Sequence, residues 1–305
     1  MFDLIIIGGG PAGMSAGIYA GRKKLNTLII SKDFTGQIGQ AFTIENYPGI
    51  KEIKGMELAD KLEEHLKEFM VDMNAGEEVT KISKKKDCFE IKTTEGDRYF
   101  GKAVIVASGA NPRHLKVPGE DKFLGKGVSY CTICDAPLFR DKEVAVIGGG
   151  NSGIEAALDL TKHAKKIYVV EFASKLKADE AIVERAEKDE KIEIICSAAV
   201  KEIKGDKRVE AIIYQDRESK KEKKLSLEGV FVQIGYIPTG SFAEGLVEFT
   251  KGGEIKIDYK TNETKTRGLF AAGDVSSVLY KQAIIAAGEG SKAALSAYDY
   301  LEKNK

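Results

Sequence analysis

Residues 2–13 read Phe2-Asp3-Leu4-Ile5-Ile6-Ile7-Gly8-Gly9-Gly10-Pro11-Ala12-Gly13, and residues 143–153 read Glu143-Val144-Ala145-Val146-Ile147-Gly148-Gly149-Gly150-Asn151-Ser152-Gly153. Each is an apolar, β-rich run that stops in Gly-x-Gly-x-x-Gly and then turns into a small-residue helical pattern. The first helix is predicted to run through Arg22 and the second to about His163. The next strands are expected at 27–30 and 166–170, which makes a βαβ unit in each half of the chain. In this pattern the first glycine permits the tight turn and the second lets the backbone approach a pyrophosphate. The third lets helix and strand pack closely, and the helix N-terminus attracts the anion. One such motif is weak; two in the correct strand–turn–helix context point to an internally duplicated dinucleotide fold. The predicted fold class is α/β, with two Rossmann-like dinucleotide-binding domains.

Working outward, 56–70 reads as an amphipathic helix with Ala59, Leu62, Leu66 and Phe69 on one face. A polar hairpin-like stretch covers 79–99, and a buried strand at 103–106 ends in Ala107-Ser108-Gly109-Ala110. The last stretch holds a short strand at 269–272, then Gly273-Asp274, then a small-residue helix over 282–300. It has no glycine-rich start of its own, so it is expected to return and complete the first domain. The second domain is then an insertion: residues 1–116 and 244–305 form one domain and 117–243 the other. Pro112 and Pro118 mark the first linker, and Pro238 with Gly240 marks the second.

Two different dinucleotides are expected, and the economical pair is FAD and a nicotinamide cofactor. The N-terminal turn (Gly8, Gly10, Pro11, Ala12, Gly13), completed by Gly273-Asp274 and flanked by Gly109, reads as the flavin site. There the Asp274 carboxylate can accept hydrogen bonds from flavin-chain hydroxyls. The second turn (Gly148, Gly150, Asn151, Ser152, Gly153) reads as the nicotinamide site. Glu171, 18 residues beyond Gly153, ends the following strand and can accept from a ribose 2′-hydroxyl while repelling a 2′-phosphate. No Arg follows in Phe172-Ala173-Ser174-Lys175, so NADH is favoured over NADPH.

Cys131-Thr132-Ile133-Cys134-Asp135 is the reactive element. This spacing closes a small, accessible disulfide in which a thiol's pKa is open to lowering by its neighbours, and Asp135 is placed to exchange protons with the thiols. The competing reading, half a zinc site, lacks a second Cys pair, and His65, His114 and His163 are scattered singly. Cys88 and Cys196 read as small buried apolar residues. Lys+Arg and Asp+Glu are both 47, a balance that argues against nucleic acid or an anionic membrane as partner. No apolar run reaches the roughly 18–20 residues of a membrane helix, and no signal-peptide pattern precedes Phe2, so a cytoplasmic protein is expected.

With these residues in hand, the chain resembles the low-molecular-weight thioredoxin reductases. It is still more similar to the matching part of the flavoprotein subunit of bacterial alkyl hydroperoxide reductase. The matching stretches are Gly8 to Gly13, Gly36-Gln37, Ile44-Glu45-Asn46-Tyr47-Pro48-Gly49, Cys131 to Asp135, Gly148 to Gly153, Ile234-Gly235 and Gly273-Asp274-Val275. The resemblance implies that Gly36, Gln37 and Asn46 lie near the flavin and that Lys281, Gln282 and Ala283 face its ring. It implies that the inserted domain rotates, presenting nicotinamide and disulfide to the flavin in turn. Cys134 would react with flavin, Cys131 would attack a partner's disulfide, and the protein would be a homodimer. NADPH-using thioredoxin reductases carry His-Arg-Arg where this chain has Glu171-Phe172-Ala173, and often Ala at the position of Gly153. The peroxide-reductase flavoprotein has an N-terminal thioredoxin-like region that does not precede Phe2 here. The expected electron acceptor is therefore a separate thioredoxin- or glutaredoxin-like dithiol protein, which in turn feeds a peroxiredoxin. Two other readings are a ferredoxin-fed or oxygen-using flavin dithiol oxidoreductase and a non-enzymatic redox or nucleotide sensor.

Overall fold

The computed structural model describes residues 1–41 and 44–304, and it divides into two compact units: Met1–Asn111 with Ile237–Lys305, and Pro112–Tyr236. In chain order the first unit opens with β1 (Phe2–Ile7), α1 (Pro11–Arg22), β2 (Thr27–Ser31), α2 (Gly55–Lys67), β3 (Val71–Ala75), β4 (Val79–Lys84), β5 (Phe89–Thr93) and β6 (Arg98–Val106). The chain leaves it through β7 (Ala110–Pro112). The second unit contains β8 (Val128–Ser129), α3 (Thr132–Asp135), β9 (Glu143–Ile147), α4 (Asn151–Leu160), β10 (Lys166–Val170), α5 (Glu180–Glu187), β11 (Ile192–Ile195), β12 (Ala198–Gly205), β13 (Val209–Asp216), β14 (Glu222–Ser226) and β15 (Gly229–Val232). The return passes through β16 (Tyr236–Pro238) to β17 (Leu269–Ala271) and α6 (Ala283–Lys303).

The first unit is built on a seven-stranded sheet in the order β3-β2-β1-β6-β5-β4, with β17 also on β6. The nine residues of β6 serve two partners on one edge. Residues 98–101 pair antiparallel with β5, and residues 104–106 pair parallel with β17. The central stretches 4–7, 28–30 and 103–106 are continuously apolar because both faces of the sheet are covered there. Alternate side chains therefore enter two different cores. Leu4, Ile6, Ala103 and Ile105 pack with α1 and α6, whereas Ile5, Ile7, Val104 and Val106 pack with Leu269, Ala271 and Val275. The second unit repeats the plan in a five-stranded parallel sheet, β11-β10-β9-β15-β8, with β12-β13-β14 as a separate antiparallel sheet.

The unit borders fall at 111/112 and 236/237 rather than at 116/117 and 243/244. Packing explains the shift. Leu115 and Val117 pack on the second unit's core, and the buried Glu120 carboxylate accepts from the Leu115 and Lys116 N–H groups. At the return, Ala243 and Phe242 belong to the first unit's core, and the Thr239 hydroxyl donates to Ser108 or Gly109 carbonyls. Proline and glycine mark where the chain turns, not which core captures the neighbours. The helix expected over 56–70 ends at Lys67; Phe69 lies beyond it and packs where Gly21 leaves room. Cys88 and Cys196 are half-buried, not buried. Among the described residues no helix is long and apolar enough to cross a membrane.

Candidate functional site

The first glycine turn is closed by backbone. A Cβ on Gly8 would lie 2.3 Å from the Ala107 carbonyl oxygen, and one on Gly13 would lie 1.8 Å from that of Gly8. Gly10 differs. It is the N-cap of α1, carries no side-chain cap, and a Cβ there would meet only the Gly36 Cα, at 3.9 Å. The first-turn N–H groups of a helix have no intrahelical acceptor. Pro11 at N1 has no N–H to offer, so Ala12 and Gly13 supply donors beside an open space that suits an anion.

The C-terminal segment returns to this point. Gly273, at φ +73°, lets the chain pass so closely that a Cβ there would lie 3.0 Å from that of Ala12. On α6, a Cβ on Gly290 would meet the Ala12 carbonyl at 1.9 Å. Asp274 is thereby held near the first turn. Burial raises its carboxyl above the ordinary range, and Lys281 partly offsets that. The Lys281 ammonium pairs with Glu254 at 3.0 Å and donates to the Ser276 carbonyl at 2.7 Å. Gly36 sits at φ +57° against Gly10, where a Cβ would meet the Gly10 Cα at 2.9 Å. The Gln37 amide donates to the Ala110 carbonyl, next to Gly109 at φ +72°. Asn46 donates to the Gln282 side chain at 3.1 Å, just before Ala283 opens α6. The first unit thus gathers the glycine turn, Gly36, Gln37, Asn46, Gly109, Asp274 and 281–283.

The second turn has the same construction. A Cβ on Gly148 would lie 2.3 Å from the Gln233 carbonyl and one on Gly153 1.9 Å from that of Gly148, while a Cβ on Gly150 would meet nothing within 4 Å. Gly150 is likewise an uncapped helix N-cap. Asn151 is tied outward: its side chain accepts from the Asp179 N–H at 2.8 Å and donates to the Asp179 carboxylate at 3.0 Å. At the end of β10 the Glu171 carboxylate is fixed on both oxygens. Oε2 accepts from the Gly149 N–H at 2.5 Å and Oε1 from that of Ala173 at 2.7 Å. Ile234 follows β15 and leads into Gly235, at φ +97°, whose carbonyl accepts from the Arg113 N–H at 2.9 Å.

Cys131 and Cys134 form a disulfide, with Cα atoms 5.3 Å apart. Their segment follows β8, which lies in the same parallel sheet as β9, so disulfide and second turn open at the same carboxyl ends of strands. Gln233, one residue past β15, donates to the Tyr130 carbonyl at 3.1 Å and the Thr132 hydroxyl at 3.3 Å; the Tyr236 hydroxyl donates to the same carbonyl at 2.8 Å. The Cys131 Sγ accepts from the Cys134 N–H at 3.2 Å. Both cysteines are half-buried, and Ile133 between them is exposed. Asp135 is held by Ser129, whose hydroxyl donates to Oδ2 at 2.6 Å, while Oδ1 is buried with no partner. Burial raises the Asp135 carboxyl above its ordinary value, against the lowering effect of Ser129. A buried acid that holds its proton to higher pH is suited to exchanging protons with adjacent thiols.

Three residues escape a linear reading. Ser31, at the end of β2, accepts from the Gly9 N–H at 2.8 Å. Asp33 accepts from Thr35 and Gly36; burial would raise its carboxyl, but these hydrogen bonds hold it below the ordinary value. Arg217, remote in sequence, lies over the Phe172 ring next to Glu171. The positions of Ser31 and Asp33, at a strand end after a glycine turn, were available as a signal; nothing local marks Arg217.

The pyridine nucleotide-disulphide oxidoreductase family profile matches residues 2–290. The chain is 46% identical over 303 residues to a Bacillus subtilis (strain 168) protein named NADH dehydrogenase, covering 99% of this chain and 59% of that protein. It is 43% identical over 308 residues to a subunit of alkyl hydroperoxide reductase from Escherichia coli (strain K12), covering 100% and 59%. The chain thus spans about three-fifths of the length of these relatives. Among solved structures, thioredoxin reductase from Streptococcus pyogenes MGAS5005 superposes with a TM-score of 0.94 at 38% identity, covering 99% of each chain. The thioredoxin reductase from Giardia duodenalis gives 0.93 at 36% identity, again over 99% of each. By its sequence over nearly its whole length, and by the two glycine turns and the disulfide just described, this chain belongs to the pyridine nucleotide-disulphide oxidoreductase family.

Proposed function

We propose that the protein is a thioredoxin reductase-like flavoprotein disulfide reductase that passes electrons from NADH, through FAD and Cys131–Cys134, to a thioredoxin- or glutaredoxin-like protein. The observation that carries this reading is a disulfide opening at the same strand ends as one of two uncapped glycine turns. FAD, when bound, accepts a hydride from a nicotinamide and delivers two electrons to a disulfide. In this reading the first unit, with Gly8, Gly10, Pro11, Ala12, Gly13, Gly36, Gln37, Asn46, Gly109, Gly273, Asp274, Lys281, Gln282 and Ala283, holds FAD. The second, with Gly148, Gly150, Asn151, Ser152, Gly153, Glu171, Ile234 and Gly235, holds the nicotinamide dinucleotide.

Two electrons and two protons convert Cys131–Cys134 to a dithiol. The Cys131 thiolate then attacks the partner's disulfide, forming a mixed disulfide and releasing one partner thiol. Cys134 attacks Cys131, restores the intramolecular disulfide and releases the second thiol. Asp135, protonated to higher pH by burial, supplies a proton to a departing thiolate. Preference for NADH rests on Glu171, whose carboxylate two N–H groups lock in place. A 2′-hydroxyl donates to it; a 2′-phosphate is repelled. The homologues named as parts of alkyl hydroperoxide reductase support a dithiol partner that feeds a peroxiredoxin, and a homodimer is proposed.

The test is anaerobic titration of the yellow protein with NADH and NADPH in parallel, followed by turnover with thioredoxin. The expected result is bleaching of the flavin band by about one equivalent of NADH and steady thioredoxin reduction. Bleaching without dithiol output would favour an oxygen-using enzyme. No response to either nucleotide would overturn the reading.

A further inference from the structure

Phe172 follows Glu171 directly and has no part in the roles above. It is large, apolar and 59% exposed, yet its position is fixed. The Arg217 guanidinium lies 3.8 Å from its ring centroid and donates to the Phe172 carbonyl at 2.8 Å. The Arg217 N–H donates to the Ser197 carbonyl at 2.7 Å, the Ser197 N–H to that of Ala173 at 2.8 Å, and the Ala198 N–H to that of Glu171 at 2.9 Å. The loop is therefore laced to another segment on both sides of Phe172. A cation over an aromatic ring is attractive by itself. A ring covered on one face and still mostly exposed offers a flat apolar surface to a planar group, and purine bases stack on such rings.

We propose that Phe172, backed by Arg217, is the platform on which the adenine base of the nicotinamide dinucleotide stacks, beside the ribose recognised by Glu171. The proposal rests on reading the second glycine turn as that dinucleotide's site. Because Arg217 commits a donor to the Phe172 carbonyl and lies over the ring, it acts through the ring rather than as a phosphate clamp. Labour is then divided: Phe172 and Arg217 set affinity for NAD⁺ and NADP⁺ alike, and Glu171 sets their ratio.

The experiment is isothermal titration of the oxidised holoenzyme with NAD⁺ and with NADP⁺, for wild type, Phe172→Leu, Phe172→Tyr and Arg217→Gln. Phe172→Leu, which keeps apolar bulk and loses the flat ring, is expected to weaken both dinucleotides about tenfold, and Phe172→Tyr to retain wild-type affinity. Arg217→Gln should weaken both about threefold, leaving the ratio of the two Kd values unchanged. Wild-type affinity in Phe172→Leu would overturn the platform. So would weakening of NADP⁺ alone in Arg217→Gln, which would make that residue a phosphate clamp. Binding of neither dinucleotide by the wild type would overturn the reading of the second turn, and the platform with it.

Discussion

The two glycine turns of this molecule are nearly superimposable in their backbone logic and different in what stands beside them. In the first, the Gly8 N–H bonds Ile30 and the Gly9 N–H bonds the Ser31 hydroxyl; in the second, Gly148 bonds Val170 and Gly149 bonds the Glu171 carboxylate. Ser31 and Glu171 therefore occupy one structural position. Both tie the strand end to the turn, so the tie alone needs only an acceptor. The negative charge is an addition confined to the second turn, and it is there that discrimination between dinucleotides is proposed. The helices differ as well: α1 begins with Pro11, which has no N–H, and α4 with Asn151, which has one. Each unit also holds one acid raised by burial, Asp274 in the first and Asp135 in the second.

The largest effect should come from the feature only the second unit has. Cys134→Ser is expected to cut thioredoxin reduction by about three orders of magnitude or more while NADH still bleaches the flavin band. Equal output from the variant and the wild type, measured as partner thiols formed, would remove the disulfide from the pathway. Next come matched lesions in the two turns. Gly8→Ala and Gly148→Ala each drive a Cβ into a carbonyl, at φ +117° and +121°, and each should cost about 2–4 kcal/mol locally. Gly8→Ala should release flavin on gel filtration, whereas Gly148→Ala should keep its colour and lose NADH binding. Flavin loss from both variants would show that the turns do not divide the cofactors.

Glu171→Ser installs the first turn's residue in the second. It retains an acceptor for Gly149 and removes the charge, so the NADH-to-NADPH ratio of kcat/KM should fall about ten- to thirtyfold at fixed ionic strength. An unchanged ratio would assign specificity elsewhere. The smallest effect concerns the two acids. Since burial raises Asp135, the folded protein keeps this proton over an interval in which the unfolded chain has already lost it. Folding stability therefore declines as pH rises from the ordinary carboxyl range to the raised value, and is level above it. Proton donation is kept over that interval and fades as pH rises through the raised value. Asp135→Asn should flatten this limb of the dithiol-output pH profile, lowering the rate a few-fold at the acidic end, with Asp274→Asn leaving it in place. A profile unchanged by Asp135→Asn would exclude the carboxyl as donor.

The duplication was legible because glycine turns interrupt strands buried on both faces: 143–147 and 166–170 are strands over those very residues. The disulfide was legible from its spacing. The unit borders were not, because Leu115 and Ala243 look alike in sequence and differ only in which core each enters. The position of Ser31 was legible but its residue type was not, because an acid is the expected partner at such a strand end, although a hydroxyl accepts the same bond. Arg217 had no local signal at all. It is brought to Phe172 by contacts between distant segments, its backbone on Ser197 and its guanidinium on Phe172, that no short-range periodicity encodes.

The sharing of β6 bears on how the molecule is made. On the edge away from β1, Val104 to Val106 pair with Leu269 to Ala271, across the whole of residues 112–236. On a ribosome, the second unit is continuous and has all its strands before the first can close its sheet, and domains tend to fold as units as they emerge. Until α6 arrives, the surface of α1 and the first sheet that it will cover, with Ala12, Ala103 and Ile105, stays open. The N-terminal half of the first unit thus waits as an unfinished nascent structure, and on the proposed reading flavin capture follows the synthesis of α6, after the unit in the middle has matured.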